Sequence, residues 1–302
     1  MMFALVSCSS PTDLTAAGKQ DSTEGLVAQP TPEEVATADT PAPAESTVAL
    51  DVEGAAPAGL APAPPAAIES TEEVPVDVFA PRPLAGRIIA IDPGHNGGNF
   101  SAPTQINRPV DAGGFSKLCN TTGTATDDGY RESTFNLEVA RLLSSLLEDV
   151  GATLPMTRSD DEGVGPCIDV RGTFGAAVDA DLLVSIHADG ASAGDRGFQV
   201  IHPHTDGVTH PEIVGPLAEL AAAVRDALLT VPLQPSTYAG RNGLIARGDL
   251  ATLNLSEVPA VILEAGNLRD EQDAAVLRDP TDQAALAAAL RDAVMTFLGG
   301  QG

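Results

Sequence analysis

Basic residues are scarce: Lys and Arg together number 16 against 42 Asp and Glu, a formal net charge of −26 at pH 7. Binding to nucleic-acid phosphates needs clustered Lys and Arg, so a nucleic-acid partner is excluded. No apolar run is long enough to cross a bilayer as a helix, which excludes a spanning segment of that kind. Internal repeats and a Gly-rich phosphate loop are also missing. Aromatic residues make up 3% of the chain. They are nearly absent from residues 9 to about 80, where Lys19 is the lone basic residue and Ala, Pro, Thr, Glu and Asp dominate. Such a composition buries too little apolar surface to offset chain entropy, so this stretch reads as a disordered acidic tail.

Cysteine is limited to Cys8, Cys119 and Cys167. The opening Met1-Met2-Phe3-Ala4-Leu5-Val6-Ser7-Cys8 resembles the end of a bacterial lipoprotein signal, although a basic n-region and a full apolar stretch are not present. A lipid on Cys8 would make the Pro-containing tail a tether between membrane and domain. The alternative is a chance run of small residues. Cys119 sits in a loop rich in Gly, Asn, Asp and Thr, and Cys167 follows Gly165-Pro166. Two loop cysteines in an exported protein suggest a disulfide that pins a long loop, with two free thiols as the alternative.

The expected organisation is therefore a signal remnant over 1–8, a linker over 9–84 and a folded domain over 85–300. Within that domain, short β-branched runs alternate with helical patterns, the pattern of an α/β fold with a twisted, mostly parallel sheet flanked by helices. Strands are expected at 87–92, 152–157, 181–187, 198–202 and 260–265. Helices are expected at 133–150, 169–178, 216–230 and 282–298. The loop over 96–129 is longer than structureless connections usually are, so it should be functional, and a lid is one use for it.

Ionisable residues stand at the edges of these elements, where open α/β sheets build their sites. His95 follows Asp92-Pro93-Gly94, Glu132 opens a helix, His187 ends Leu183-Val184-Ser185-Ile186, and Glu264 ends Val261-Ile262-Leu263. Charge at the end of an apolar strand is costly unless paired or metal-bound. Two imidazoles and one carboxylate are a common catalytic zinc set that leaves a position for water.

Four segments in order, Ile91-Asp92-Pro93-Gly94-His95, Glu132 with Asn136-Leu137, Ser185-Ile186-His187-Ala188-Asp189, and Leu263-Glu264-Ala265-Gly266-Asn267, resemble the motifs of the zinc-dependent N-acetylmuramoyl-L-alanine amidases. The resemblance covers residues 86–298. It implies Zn2+ held by His95, Glu132 and His187, with Glu264 as general base and acid toward a zinc-activated water. The bond implied joins the lactyl group of N-acetylmuramic acid to L-alanine in peptidoglycan. The Cys119–Cys167 pair and the Gly165-to-Arg171 run are similar to the actinobacterial branch, whereas Asn96 and the long loop after it depart from the simplest pattern. An exported, monomeric cell-envelope enzyme is the expectation.

Smaller assignments follow from local chemistry. Arg247 and Asn254 are candidates for contact with an anionic stem peptide, loop hydrogen bonding being the alternative. Arg171 and Asp169 read as a helix-start salt bridge and cap. His202, His204 and His210 read as solvated. The metal set alone does not choose among amide bonds, so a peptidoglycan peptidase or a sugar deacetylase is a rival reading. A wall-binding protein without activity is another, less suited to a full set of ligand types.

Overall fold

A computed structural model describes residues 82–204 and 213–300. The expectations for Cys8, for the tail up to residue 81 and for His210 lie outside the described residues. In chain order the elements are β1 (Ile89–Pro93), a 3-10 turn (Gly97–Ser101), α1 (Pro103–Ile106), β2 (Pro109–Asp111), β3 (Ser116–Leu118), α2 (Glu132–Asp149), α3 (Ile168–Ala177) and β4 (Leu182–Asp189). Then come β5 (Gln199–Pro203), α4 (Val214–Leu228), β6 (Leu244–Arg247), α5 (Ala251–Asn254), β7 (Ala260–Asn267), α6 (Glu271–Arg278) and α7 (Pro280–Gly299).

The main sheet has the order β1-β4-β7-β5-β6, and β2 and β3 form a separate hairpin. Every neighbouring pair in the main sheet is parallel except β5 with β7. This is the mostly parallel α/β sheet expected. Two apolar layers cover it. On one face Phe135, Val139, Leu143 and Leu147 of α2, Leu220 and Val224 of α4, and Leu290 and Val294 of α7 pack on Ile89, Ile91, Leu182, Val184, Ile186, Val261 and Leu263. Each fully buried side chain of this kind stabilises the fold by roughly 1.5–3 kcal/mol. On the other, thinner face Ala90, Leu183, Ile201, Ala260 and Ile262 meet Leu253, Phe174 and Val258 of the α3–α5 side.

Side chains alternate along a strand, so the thinner face can be followed residue by residue. It reads Ala90 then Asp92 on β1, Leu183 then Ser185 then His187 on β4, and Ile262 then Glu264 on β7. Three adjacent strands switch from apolar to polar toward the same end, and the site grows there.

The sequence reading ends β4 at His187 and β7 at Ala265, whereas the structure continues them to Asp189 and Asn267. The continuation is held by the Asp189–Asn267 pairing after a register shift and by a Leu268 N–H donated to the Asp189 carbonyl at 2.9 Å. The expected strand over 152–157 is reduced to bridges between Ile88 and Thr153 and between Ile91 and Met156. Pro155 is the physical reason: its carbonyl accepts from Ile91 N at 3.0 Å, but it has no N–H to return to the ladder. Leu84, at the expected edge of the linker, already belongs to the core. No helix among the described residues is long and apolar enough to cross a membrane.

Candidate active site

His95 leaves β1 in a left-handed conformation, φ 58°. A non-glycine residue there costs roughly 1–2 kcal/mol, so its surroundings must hold it. Its Nε2 lies 3.1 Å from Glu132 Oε1, and its Nδ1 lies 3.2 Å from the Thr121 carbonyl oxygen. His187 Nδ1 approaches the same Glu132 Oε1 at 2.9 Å, and the two imidazoles meet edge to face with centroids 4.8 Å apart. Glu132 opens α2 and is buried; its Oε2 accepts from Thr124 N at 2.9 Å and its Oε1 from Ala188 N at 3.3 Å.

The ligand atoms of His95, Glu132 and His187 all lie within 4.8 Å of one another. A divalent cation fits this set in three respects. The donors are the imidazole and carboxylate types that bind zinc. The space around them is kept by glycine: a Cβ on Gly94 would stand 2.1 Å from His187 Cε1, and one on Gly123 would stand 2.8 Å from Glu132 Oε2. Beside the cluster, Glu264 Oε2 is buried without a hydrogen-bond partner.

Burial acts to raise the Glu132 carboxyl, yet the charges and hydrogen bonds of His95 and His187 outweigh it and hold Glu132 well below the usual carboxylate range. Burial acts to lower His95, and the Glu132 charge, its hydrogen bond and the Thr121 carbonyl more than reverse that. Glu264 goes the other way. Burial, then repulsion from Glu132 and Asp189, push it well above its ordinary value, with Arg247 opposing weakly.

Glu264 pairs in register with His187 on one side and Gln199 on the other, so neighbouring strands fix its backbone from both edges. Asp189 lies close by, accepting from the Tyr238 hydroxyl at 2.6 Å and from Gln199 Nε2 at 3.0 Å. Burial and the Asp189 carboxylate push the Tyr238 phenol up. Asp189 lies inside a motif quoted from the sequence, but sequence reasoning assigned no role to it, to Gln199 or to Tyr238. Tyr238 is one of two tyrosines in the chain, and that rarity was the available signal.

A cleft of about 270 Å³ opens from the cluster, lined by His95, His187, Glu264 and Arg171 together with Lys117, Leu118, Ile168, Arg247, Leu250 and Ile262. Arg247 reaches it from the end of β6 while bonding Asp249 through Nε at 2.8 Å and Nη2 at 2.7 Å. Lys117 of the hairpin donates to the Asp249 carbonyl at 2.7 Å. These contacts hold Asp249 down at about 2, with the Arg247 hydrogen bonds the largest cause. Asn254 is buried instead, and its Nδ2 donates to the carbonyls of Ala112 at 2.9 Å and Gly248 at 3.0 Å. The structure thus brings Arg247 to the cleft and gives Asn254 a loop-bracing place.

Arg171 corrects the reading from sequence. It makes no helix-start pair with Asp169; its guanidinium is buried against Asp92 and donates to the carbonyls of Pro93 at 2.8 Å, His95 at 2.6 Å and Pro166 at 3.0 Å. Asp169 does not cap α3 either: Cys167 holds the N-cap position, and Asp169 Oδ1 accepts only from the next residue's N–H at 2.9 Å. The reason lies in burial. Asp92 is fully enclosed by Arg171, Thr157 and Ser185 and demands a cation, whereas Asp169 is only half-buried and does not.

Cys119 and Cys167 form a disulfide across 48 residues, with Cα atoms 4.4 Å apart. Ile168 N donates to the Cys119 carbonyl at 2.8 Å, so the loop that carries Lys117 and Leu118 is stapled to the start of α3 beside the cleft. His202 and His204 stand outside the cleft lining, half-buried and exposed respectively.

A mostly parallel α/β sheet thus gathers two imidazoles, the buried Glu132 carboxylate and the Glu264 carboxylate at one end, a donor set of the kind that metal-dependent hydrolases use. The family model described as N-acetylmuramoyl-L-alanine amidase matches residues 89–296, and the chain belongs to this family. It is 36% identical over 225 residues to N-acetylmuramoyl-L-alanine amidase Rv3717 of Mycobacterium tuberculosis, covering 74% of this chain and 90% of that protein. Among solved structures it resembles the N-acetylmuramyl-L-alanine amidase Ami1 of Mycobacterium smegmatis, with 36% identity, a TM-score of 0.69, and coverage of 72% of this chain and 99% of the other. For Ami1 of Mycobacterium abscessus the values are 41% identity, a TM-score of 0.67, and coverage of 71% and 99%.

Proposed function

We propose that this chain hydrolyses the amide bond between N-acetylmuramic acid and L-alanine in peptidoglycan, with zinc held by His95, Glu132 and His187. The observation that carries the reading is Glu264: a buried, unpartnered carboxylate oxygen set beside a two-histidine, one-carboxylate donor set. Family membership supports the bond class, and the donor types support zinc.

When bound there, the cation supplies Lewis acidity toward the scissile carbonyl and makes water easier to deprotonate at neutral pH. Glu264 takes a proton from the attacking water at its carboxylate and returns one to the departing amine nitrogen, so the C–N bond breaks to a lactyl carboxylate and a free L-alanine amine. His95 and His187 hold their rings in place for the donor set, His95 through the Thr121 carbonyl. Leu118, Ile168, Leu250 and Ile262 keep water away from one side of the reacting bond, and Arg247 receives a carboxylate of the stem peptide.

The test is digestion of purified cell wall by the full chain, with mass spectrometry of the products. New lactyl carboxylates and free L-alanine amino termini are expected. Cut cross-links would assign a peptidase, loss of acetyl groups would assign a deacetylase, and binding without products would leave a wall-binding protein.

We also propose export to the cell envelope, action as a monomer, and attachment through a lipid on Cys8. A relative of Staphylococcus aureus at 23% identity is by name a probable cell wall amidase, and Rv3717 is by name an N-acetylmuramoyl-L-alanine amidase, which supports this placement. Detergent partitioning and a lipid mass on Cys8 are the expected signature; release as a soluble protein cleaved elsewhere would reject the anchor.

A further inference from the structure

Two buried arginines the mechanism does not use converge on one turn. Arg158 and Arg171 each have side chains only 3% exposed. Arg171 donates to the carbonyls of Pro93 at 2.8 Å and His95 at 2.6 Å. Arg158 donates through Nε to Pro93 at 2.9 Å and through Nη2 to Gly94 at 3.0 Å. All three consecutive carbonyls of Pro93, Gly94 and His95 therefore end on a guanidinium, and this is the turn that places His95 at positive φ.

Each arginine also reaches a second element of the site. Arg158 Nη2 donates to the Ser133 carbonyl at 2.6 Å, in the first turn of the helix that begins with Glu132. Its Nη1 meets Asp161 at 3.1 Å, and Asp161 accepts from Gly97 N at 2.9 Å and from the Thr134 hydroxyl at 2.9 Å. Arg171 ties the turn to Asp92 and, through Nε, to the Pro166 carbonyl next to the disulfide.

We propose that Arg158 and Arg171 are positioning residues that clamp the Pro93–His95 turn by its backbone carbonyls and so set the distance between the His95 imidazole and the Glu132 carboxylate for the cation. A fork of fixed N–H directions suits this task, because it engages two or three carbonyls at once. A lysine in the same place supplies the charge and lacks the fork. The proposal rests on His95 and Glu132 holding a cation together.

The experiment measures cation binding by the full chain rather than turnover alone. Metal-stripped wild type, Arg158→Lys and Arg171→Lys are titrated with zinc against a chromogenic chelator, and with cobalt(II) by its visible absorption; circular dichroism reports the fold. The two variants are expected to bind at least about tenfold more weakly, the size seen when supports behind metal ligands are removed, with an altered cobalt spectrum and a fall mainly in kcat rather than a rise in KM. Wild-type affinity and spectrum in a folded lysine variant would overturn the clamp, since charge alone would then suffice. Where a lysine variant does not fold, Asp161→Asn loosens the Arg158 arm more gently; a smaller loss of affinity in the same direction is expected, and wild-type affinity there overturns that arm. If wild type itself takes up no cation, the failure belongs to the assignment of the donor set.

Discussion

Glu264 stands opposite His187 in the β4–β7 ladder, and in a parallel pair residues in register project to the same face of the sheet. The unpartnered carboxylate and one imidazole of the cluster are thus set by backbone pairing rather than by flexible loops. Rigid mounting of this kind suits a proton carrier that must stay within hydrogen-bond reach of a reacting water.

Glu264→Gln is expected to keep cation stoichiometry and lose turnover by roughly 100-fold or more, the size associated with a positioned acid–base group. Single-turnover kinetics and metal analysis of the same sample give both numbers. Loss of the cation instead would make Glu264 a ligand, and unchanged turnover would send the search for a base elsewhere.

His187→Ala is expected to lose the cation while keeping the fold. The ring is only partly buried, and the apolar alternation of β4 that packs the sheet does not include it. Metal content by emission spectrometry should fall to background with an unchanged circular dichroism spectrum. Retained stoichiometry would remove His187 from the donor set.

Those two residues also show what the sequence made legible. Val184-Ser185-Ile186-His187 and Val261-Ile262-Leu263-Glu264 carry a polar group at the end of an apolar run, and that pattern located the cluster. It could not show that both strands continue, because the continuation depends on pairing of Asp189 with Asn267, a tertiary event. The place of Arg171 was hidden for the same reason: its partner Asp92 is 79 residues away, whereas Asp169 is two positions off and looked adequate. Short elements such as β6, α5 and the β2–β3 hairpin carry too few residues for a periodic signal, and so does α6, which no sequence expectation covered and which Asp270 caps by accepting from Gln272 N and Asp273 N.

The Cys119–Cys167 bond closes a loop of 48 residues in sequence separation. Chain-entropy reasoning sets its stabilisation at about 4 kcal/mol or less. Replacing both cysteines with serine should lower the denaturant midpoint by a corresponding amount and expose the segment around Lys117 to protease, since the link to α3 beside the cleft is gone. A pair of free thiols in the denatured, unreduced wild-type chain would contradict the bond itself.

Asp92 gives the clearest dependence on pH. Burial acts to raise its carboxyl, but the Arg171 charge and the hydroxyls of Thr157 and Ser185 prevail and hold it below its ordinary value. A carboxyl lowered on folding contributes stability that is present above its unfolded pKa, about 3.9, and is lost as pH falls through the lower folded value. Asp92→Asn leaves the buried Arg171 guanidinium without its counter-charge, an error that costs about 3–5 kcal/mol when one member of a buried pair is removed. At pH 7 the variant should therefore be less stable than wild type by an amount of that order. As pH drops below about 4 the unfolded chain takes up the proton at this carboxyl first, and the folded carboxyl follows only at a lower pH, so the gap should narrow. Urea midpoints for both proteins at pH 7, 5, 4 and 3 measure this, and the titration of other exposed acids cancels in the difference between them. A gap that stays constant over the whole range would mean that Asp92 is not held as a carboxylate by Arg171, and that the turn bearing His95 is anchored by its neutral hydrogen bonds.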